Sequence, residues 1–194
     1  MLYHNLYPKF LLTELNPFYP MLFSDAQSVF ILDRLITDNT TVEFEILHRM
    51  RNRRKGKTSH MAVKLDISKA YDRVEWEFLR RIMLKIGLPE QWVNLAMETI
   101  RTTSYSVLIN GEPEGFITPT RSIKQGDPLS PYLFLLCVEG LSSLIWKETN
   151  SNRLKGIYSC RGGVRISHLL FADNSLLFCE AKIGECHKLL DLLT

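Results

Sequence analysis

Residues 167–179 read Ser-His-Leu-Leu-Phe-Ala-Asp-Asn-Ser-Leu-Leu-Phe-Cys, and this stretch carries a clear structural signal. Two apolar runs, Val164 to Phe171 and Leu176 to Cys179, flank four small or polar residues. Such a pattern predicts two strands that face each other across a hairpin. The hairpin exposes Asp173, either as a ligand-binding carboxylate or simply as a residue suited to a turn.

Two other stretches place polar residues at the ends of apolar elements. Met61 to Leu65 is a short apolar strand with Lys64 as its single charge, and Asp66 lies at its end. Taken alone, Asp66 is also typical of a helix N-cap. Residues 124–131 read Lys-Gln-Gly-Asp-Pro-Leu-Ser-Pro and predict a loop, or merely a polar turn, before an apolar helix.

The rest of the chain alternates between helical and strand-like patterns. Helices are predicted from Thr37 or Asp38, through Trp76 to Ile86, from Pro89, from Ser130-Pro131 through Leu144, and from near Lys182. Alternating apolar residues on both sides of Asn110-Gly111 predict a second hairpin. This order favours an α+β fold, a largely antiparallel sheet with helices packed on one face.

The three polar stretches fit the chemistry of joining nucleotides. In-line displacement at phosphorus uses two divalent ions about 3.5–4 Å apart. Magnesium prefers oxygen ligands, so such a site needs carboxylates that converge from separate elements. Asp66 at a strand end and Asp173 in a tight hairpin, with a loop between them, match that requirement.

The three stretches resemble motifs A, B and C of reverse transcriptases. Residues 24–28, 34–39 and 167–173 also resemble the corresponding sequences of plant-type non-LTR (LINE) retrotransposons. The resemblance implies a right-hand polymerase fold, with partial fingers over residues 1–60 and a palm over residues 61–194. It also implies an RNA-directed DNA polymerase that uses Mg²⁺ or Mn²⁺, an RNA template, a DNA primer and deoxynucleoside triphosphates.

The resemblance assigns roles to individual residues. The catalytic positions are Asp66, Asp173 and Asn174, of which Asp66 and Asp173 bind the metal ions. The nucleotide-binding positions are the backbone amide of Ile67, the steric gate Tyr71, and Gln125 and Gly126 in the pocket floor. The positions near nucleic-acid phosphates are Arg34, Arg53, Arg54 and Lys55, for which a solvated surface is the alternative.

The chain departs from the family pattern at several positions. Asn174 replaces the second aspartate of motif C, Ser122 stands where the family has glycine, and Leu32-Asp33 replace Pro-Gly. Compared with the family, the chain ends soon after motif C, before the later palm motifs and the thumb. These departures predict a truncated copy with impaired catalysis, and the alternative is a non-catalytic nucleic-acid-binding or interaction remnant of a retroelement.

Composition sets only broad limits. The chain has 194 residues, 45% of them hydrophobic, and a net charge of +3, which permits but does not identify a nucleic-acid partner. Residues 49–57 form a basic run without an acid, which fits a solvated helix end, a phosphate-contacting patch or a nuclear-localisation signal. We expect an intracellular protein, in the cytoplasm or the nucleus, with free thiols, no signal peptide and no membrane span, and the sequence leaves its oligomeric state open.

Overall fold

A computed structural model of the chain describes residues 6–15, 22–31, 34–52, 59–159 and 163–193. Its helices are α1 (Leu6–Leu15), α2 (Ile36–Asn52), α3 (Trp76–Ile86), α4 (Glu90–Arg101), α5 (Ser130–Asn150) and α6 (Ile183–Leu193), with a 3₁₀ turn at Ala70–Arg73. Its strands are β1 (His60–Asp66), β2 (Tyr105–Ile109), β3 (Glu112–Ile117), β4 (Ile157–Tyr158), β5 (Arg165–Ile166), β6 (His168–Phe171) and β7 (Asn174–Glu180). Over these ranges, none of the helices has the length and apolar character that a bilayer crossing requires.

The chain divides into two compact units. Unit 1 comprises residues 1–22 and 69–137, and unit 2 comprises residues 23–68 and 138–194. The boundary between fingers and palm, predicted at residues 60 and 61, rests on family resemblance rather than on packing. That assignment stays a prediction.

Unit 1 is largely helical, and its helices follow the predicted apolar spacing. Leu79 and Met83 on α3 and Val93 on α4 are fully buried, and each such side chain contributes about 1.5–3 kcal/mol of burial free energy. The Trp92 indole N–H donates to the carbonyl oxygen of Leu11 at 3.2 Å, which joins α4 to α1. Three helices of unit 1 therefore share one core.

The hairpin of unit 1, β2 and β3, confirms the second predicted hairpin. Both turn residues, Asn110 and Gly111, have positive φ, +52° and +89°, as a type I′ turn requires. Every residue of the two strands is exposed to solvent. The hairpin is therefore stabilised by the pairing of its two strands and not by packing of one face.

Unit 2 is built on an antiparallel three-stranded sheet in the order β1-β7-β6. β7 lies in the centre and pairs with β1 from His60 opposite Glu180 to Asp66 opposite Asn174. The outer edge of β6 is covered in part by the segment before α2, because Gln27 forms a parallel bridge with Leu170. The predicted α+β class and antiparallel sheet are confirmed.

The sheet of unit 2 has helices on both faces, whereas the sequence predicted helices on one. On one face, Ile46 of α2 packs in a cluster with Phe178. On the other, Ile145 of α5 and Leu189 of α6 pack with Leu177. Consecutive apolar residues in β7 point alternately to the two faces, so both faces need cover.

The hairpin that carries Asp173 is tighter than predicted. Its turn contains only Ala172 and Asp173, because Phe171 pairs with Asn174. Asn174 and Ser175 therefore belong to β7, not to the turn. The predicted strand from Val164 to Phe171 is divided into β5 and β6, and β5 pairs with β4 instead.

Candidate active site

The acid that ends β1 and the acid in the β6–β7 turn occupy neighbouring backbone positions. Asp66 lies directly opposite Asn174 in the ladder, and the Ile67 N–H donates to the carbonyl oxygen of Asp173 at 3.1 Å. Opposed residues of an antiparallel pair have Cα atoms about 4.5–5.5 Å apart and side chains on the same face. Asp66 and Asp173 are both exposed. Asp66 is not a helix cap, since Lys69 precedes the following 3₁₀ turn.

Asn174 completes this group with an amide instead of a carboxylate. Its Nδ2 donates to Oδ1 of Asp173 at 3.2 Å. Its Oδ1 is buried and has no hydrogen-bond partner, which costs about 1–3 kcal/mol for a polar atom removed from water. Two carboxylates and an unsatisfied amide oxygen are hard oxygen donors, and this donor set suits a divalent cation.

A cavity of about 210 Å³ adjoins Asn174 on the face of the sheet that α2 covers. Glu43 from α2 and Lys64 from β1 line it together with Phe171 and Asn174. Lys64 lies two residues before Asp66 on the same strand, so both side chains project from the same face. The cavity thus combines one cationic and one anionic side chain beside the unsatisfied amide oxygen.

A separate set of predicted site residues meets in unit 1. The carbonyl oxygen of Tyr71 accepts the N–H of Ile123 at 3.0 Å, and that of Val74 accepts the N–H of Ser122 at 2.9 Å. The Tyr71 ring packs on Phe134, with ring centroids 5.4 Å apart and planes tilted by 43°. The end of motif A is therefore joined by backbone hydrogen bonds to the loop of motif B.

The backbone angles of the motif B loop explain which residue type suits two of its positions. Gln125 and Gly126 form a turn in which the N–H of Asp127 donates to the carbonyl oxygen of Lys124 at 3.3 Å. Gly126 has φ +86°, and a Cβ there would meet nothing within 4 Å. Within the chain, glycine is therefore required by the backbone angle and not by crowding. Ser122 has φ +92°, which confirms that it occupies a position suited to glycine.

Two predicted ligand contacts are used within the chain. The Ile67 amide, expected to bind triphosphate oxygens, donates instead to Asp173. The Arg34 guanidinium donates to the carbonyl oxygens of Ser24 and Gln27 at 2.5 and 2.7 Å, and to Oδ1 of Asp25 at 2.9 Å. These bonds make Arg34 an organiser of the segment before α2.

The remaining predictions concern the basic run and the metal ions. Arg53, Arg54 and Lys55 lie outside the described residues, so their contact with phosphates stays a prediction. Across the portion of the chain that the structure describes, no three His, Cys, Asp or Glu side chains form a cluster that could hold a metal ion. The acids of the candidate site number two, Asp66 and Asp173, because position 174 is an asparagine.

Comparison with known families decides the assignment. Residues 5–193 match the family model described as reverse transcriptase (RNA-dependent DNA polymerase). The chain belongs to the reverse transcriptase family. The predicted resemblance to reverse transcriptases is therefore confirmed, and the exposed acids of β1 and the β6–β7 turn lie within the matched residues.

Similar proteins come from plants and from non-LTR elements. An uncharacterized mitochondrial protein of Arabidopsis thaliana is 53% identical over 68 residues, which cover 35% of this chain and 56% of that protein. A retrovirus-related Pol polyprotein from the type-1 retrotransposable element R2 of Popillia japonica is 34% identical over 137 residues, covering 70% of this chain and 22% of the polyprotein. The reverse transcriptase domain thus spans less than two thirds of these relatives.

Solved structures confirm the polymerase fold. The apo telomerase of Candida tropicalis, truncated from its C-terminal domain, superposes with a TM-score of 0.62 at 13% identity. The match covers 96% of this chain and 36% of the telomerase. At that identity the likeness establishes the fold alone.

The sequence did not reveal a set of buried polar side chains around β6. Asn39 donates to the carbonyl oxygens of Ala26 and Leu170 at 2.8 and 3.1 Å. Burial raises the pKa of Glu139, and it lowers the pKa of His168 to about 4. Residues 24–28 and 34–39 are rich in polar side chains, but among them the family resemblance gave a role to Arg34 alone, and nothing in the sequence pointed to Glu139.

Proposed function

We propose that this chain carries the catalytic centre of an RNA-directed DNA polymerase in which Asp66 and Asp173 hold the divalent cations, Mg²⁺ or Mn²⁺. The observation that supports this proposal is the pairing of β1 with β7, which brings the acids of motifs A and C together. When bound, the cations stabilise the charge on the attacking and leaving oxygens of nucleotidyl transfer. The partners are an RNA template, a DNA primer and deoxynucleoside triphosphates.

The other motif residues act on the nucleotide. Tyr71 excludes the 2′-hydroxyl of a ribonucleotide, and its packing on Phe134 limits the movement of the ring that does so. Gln125 and Gly126 contact the nucleotide from a turn that is bonded through Ile123 to the backbone of Tyr71. The gate and the pocket floor therefore move together.

Asn174 impairs this centre. It supplies an amide oxygen without formal charge, and its Nδ2 occupies one oxygen of Asp173. Attraction between unit charges about 4 Å apart is about 4 kcal/mol at an effective dielectric constant of roughly 20. Loss of about 3 kcal/mol of transition-state stabilisation lowers a rate by roughly two orders of magnitude.

Mn²⁺ titration of the chain, followed by electron paramagnetic resonance, tests the assignment. We expect weak binding that Asp66→Asn abolishes and that Asn174→Asp strengthens by roughly 100-fold, the equivalent of about 3 kcal/mol. Asp72→Asn is the matched control, since Asp72 is an exposed acid of motif A outside the ladder. Equal Mn²⁺ affinities for the wild type and Asp66→Asn would refute the proposal.

A second function is favoured by the same amide. Because Asn174 carries no charge where an aspartate would add a third negative charge, the site repels phosphates less in the absence of a metal ion, and the chain is also suited to bind nucleic acid without catalysis. Primer extension on an RNA template separates the two functions. Incorporation that Asp66→Asn abolishes supports the polymerase, whereas salt-sensitive RNA binding without incorporation, even in Asn174→Asp, supports the binding function.

A further inference from the structure

A chain of buried and half-buried hydrogen bonds runs through unit 2 from α5 to β6. Oε1 of Glu139 accepts the N–H and the hydroxyl of Ser24, both at 3.1 Å. The Ser24 and Ser142 hydroxyls are 3.0 Å apart, and the Ser142 hydroxyl lies 2.8 Å from Nε2 of His168. Nδ1 of His168 then meets the hydroxyl of Ser167 at 2.9 Å. We call Ser24, Glu139, Ser142 and His168 the buried relay.

Burying the polar side chains of the buried relay costs free energy that apolar side chains at the same positions would not cost. Glu139, Ser142 and His168 are 6%, 2% and 7% exposed. Apolar residues of similar volume often stabilise a protein as well as, or better than, buried charged groups. A fully satisfied network instead fixes one arrangement of the elements that it joins. The contribution of the network is therefore to fix the positions of the elements that it joins.

The buried relay and the segment before α2 together hold β6 in its sheet. The side chain of His168 anchors the first residue of the strand through Ser142. Two residues later, the N–H of Leu170 donates to the carbonyl oxygen of Ala26 at 2.8 Å, in the segment whose first residue, Ser24, belongs to the relay. β6 is thus fixed both by a side chain and by its backbone.

Any shift of β6 moves the candidate active site. The strand ends at Phe171, and a two-residue turn carries the chain back into β7. Asp173 in that turn is joined to the end of β1 through the N–H of Ile67. Because the turn has only two residues, it cannot absorb a displacement of β6, and the displacement moves the turn as well.

We propose that Glu139, Ser142 and His168 are positioning residues that set the location of the Asp173 carboxylate relative to Asp66. The inference rests on the proposed function, in which those two carboxylates bind divalent cations. The relay residues do not touch the cations; they act through β6. Outer partners of this kind typically change metal affinity by about 10–100-fold when they are removed.

The test compares Ser142→Ala with Ser143→Ala, the same change at an exposed neighbour on α5. Mn²⁺ affinity is measured by electron paramagnetic resonance at a temperature where circular dichroism shows each variant folded. We expect Ser142→Ala to weaken Mn²⁺ binding by about tenfold, Ser142→Thr to restore it, and Ser143→Ala to leave it unchanged. A merely structural role would lower the melting temperature without this difference in affinity between folded proteins.

Two results would overturn the inference, and they are distinguishable. Wild-type affinity in folded Ser142→Ala, with Asp66→Asn still abolishing binding, removes the positioning role and leaves the proposed function intact. Absence of Asp66-dependent binding in both the wild type and Asn174→Asp removes both. If Ser142→Ala does not fold, Ser167→Ala takes its place, since it removes the other partner of His168 from a half-buried position; unchanged affinity there would also overturn the inference.

Discussion

At the scale of single residues, Asn174 lowers the affinity of the site for metal ions and stabilises the metal-free protein. Its amide donates to Asp173 and lies opposite Asp66, so it adds a hydrogen bond where an aspartate would add a third negative charge. We expect Asn174→Asp to lower the free energy of unfolding by about 1–2 kcal/mol in metal-free buffer, through the lost bond and the added repulsion. Urea denaturation with and without Mn²⁺ measures this effect.

The response to metal distinguishes this cause from general damage. Mn²⁺ should restore the stability of Asn174→Asp, because binding to the native state alone shifts unfolding by mass action. Asn94→Asp is the control, since it makes the same change at an exposed position of α4. If Asn174→Asp is as stable as the wild type in chelator, the amide contributes nothing to the metal-free state.

Ser122 stores strain in the motif B loop. Its φ of +92° costs a residue with a Cβ about 1–3 kcal/mol, whereas glycine adds an unfolded-state entropy cost of roughly 0.5–1 kcal/mol. Ser122→Gly should therefore raise the free energy of unfolding by about 0.5–1 kcal/mol. Ser122→Ala keeps the strain and should bring no gain, so equal urea midpoints for the two variants would contradict this explanation.

At the scale of elements, the β2–β3 hairpin exposes apolar side chains without a packing partner among the described residues. Leu108 and Phe116 are 71% and 77% exposed, and both edges of a two-stranded ribbon can pair with another chain. Leu108→Ser with Phe116→Ser should raise the soluble concentration and change the free energy of unfolding by no more than about 0.5 kcal/mol. Light scattering and urea denaturation measure the two quantities.

A buried leucine provides the contrast. Leu135 is 0% exposed, and Leu135→Ser should destabilise the chain by about 2–5 kcal/mol, because it opens a cavity and buries a hydroxyl. If the double hairpin variant is destabilised to a similar extent, its side chains are covered in solution. The hairpin would then be an interface.

The elements also show how far local patterns reach. Helical spacing predicted α2, α3 and α4, and Asn110-Gly111 predicted the β2–β3 hairpin, because these signals involve residues a few positions apart. The consecutive apolar residues Leu176 to Cys179 of β7 are typical of a strand that is buried on both faces, but the sequence predicted helices on one face only, and it does not show which helix covers which face. That choice depends on contacts such as Ile46 with Phe178.

Part of the candidate site was predictable from the sequence, again because the signals are local. Asp66 and Asp173 each lie in a stretch whose pattern is local, and family resemblance links them. The buried relay was not predictable, since Ser24, Glu139 and His168 are widely separated in sequence and follow no periodicity. Serine and glutamate are ordinarily found at the surface and histidine is intermediate, so their burial is evident only after the fold has brought them together.

At the scale of the whole molecule, the buried relay should make stability depend on pH. Burial lowers the pKa of His168 from 6.5 to about 4, so between these values the unfolded state binds a proton that the native state does not. The stability is therefore fully present above about pH 6.5 and is lost as the pH falls toward 4. A shift of this size corresponds to a loss on the order of 3 kcal/mol.

Glu139 acts in the opposite direction over part of the same range. Burial is the main cause of its raised pKa, so the native state takes up that proton before the unfolded state does and gains stability as the pH falls. His168→Gln should flatten the decline between pH 6.5 and 4, whereas Glu139→Gln should steepen it. Urea denaturation across this range, with exposed His187→Gln as the control, measures both slopes. A decline that is unchanged in His168→Gln would mean that another group carries the acid sensitivity and that the imidazole is not held neutral between Ser142 and Ser167.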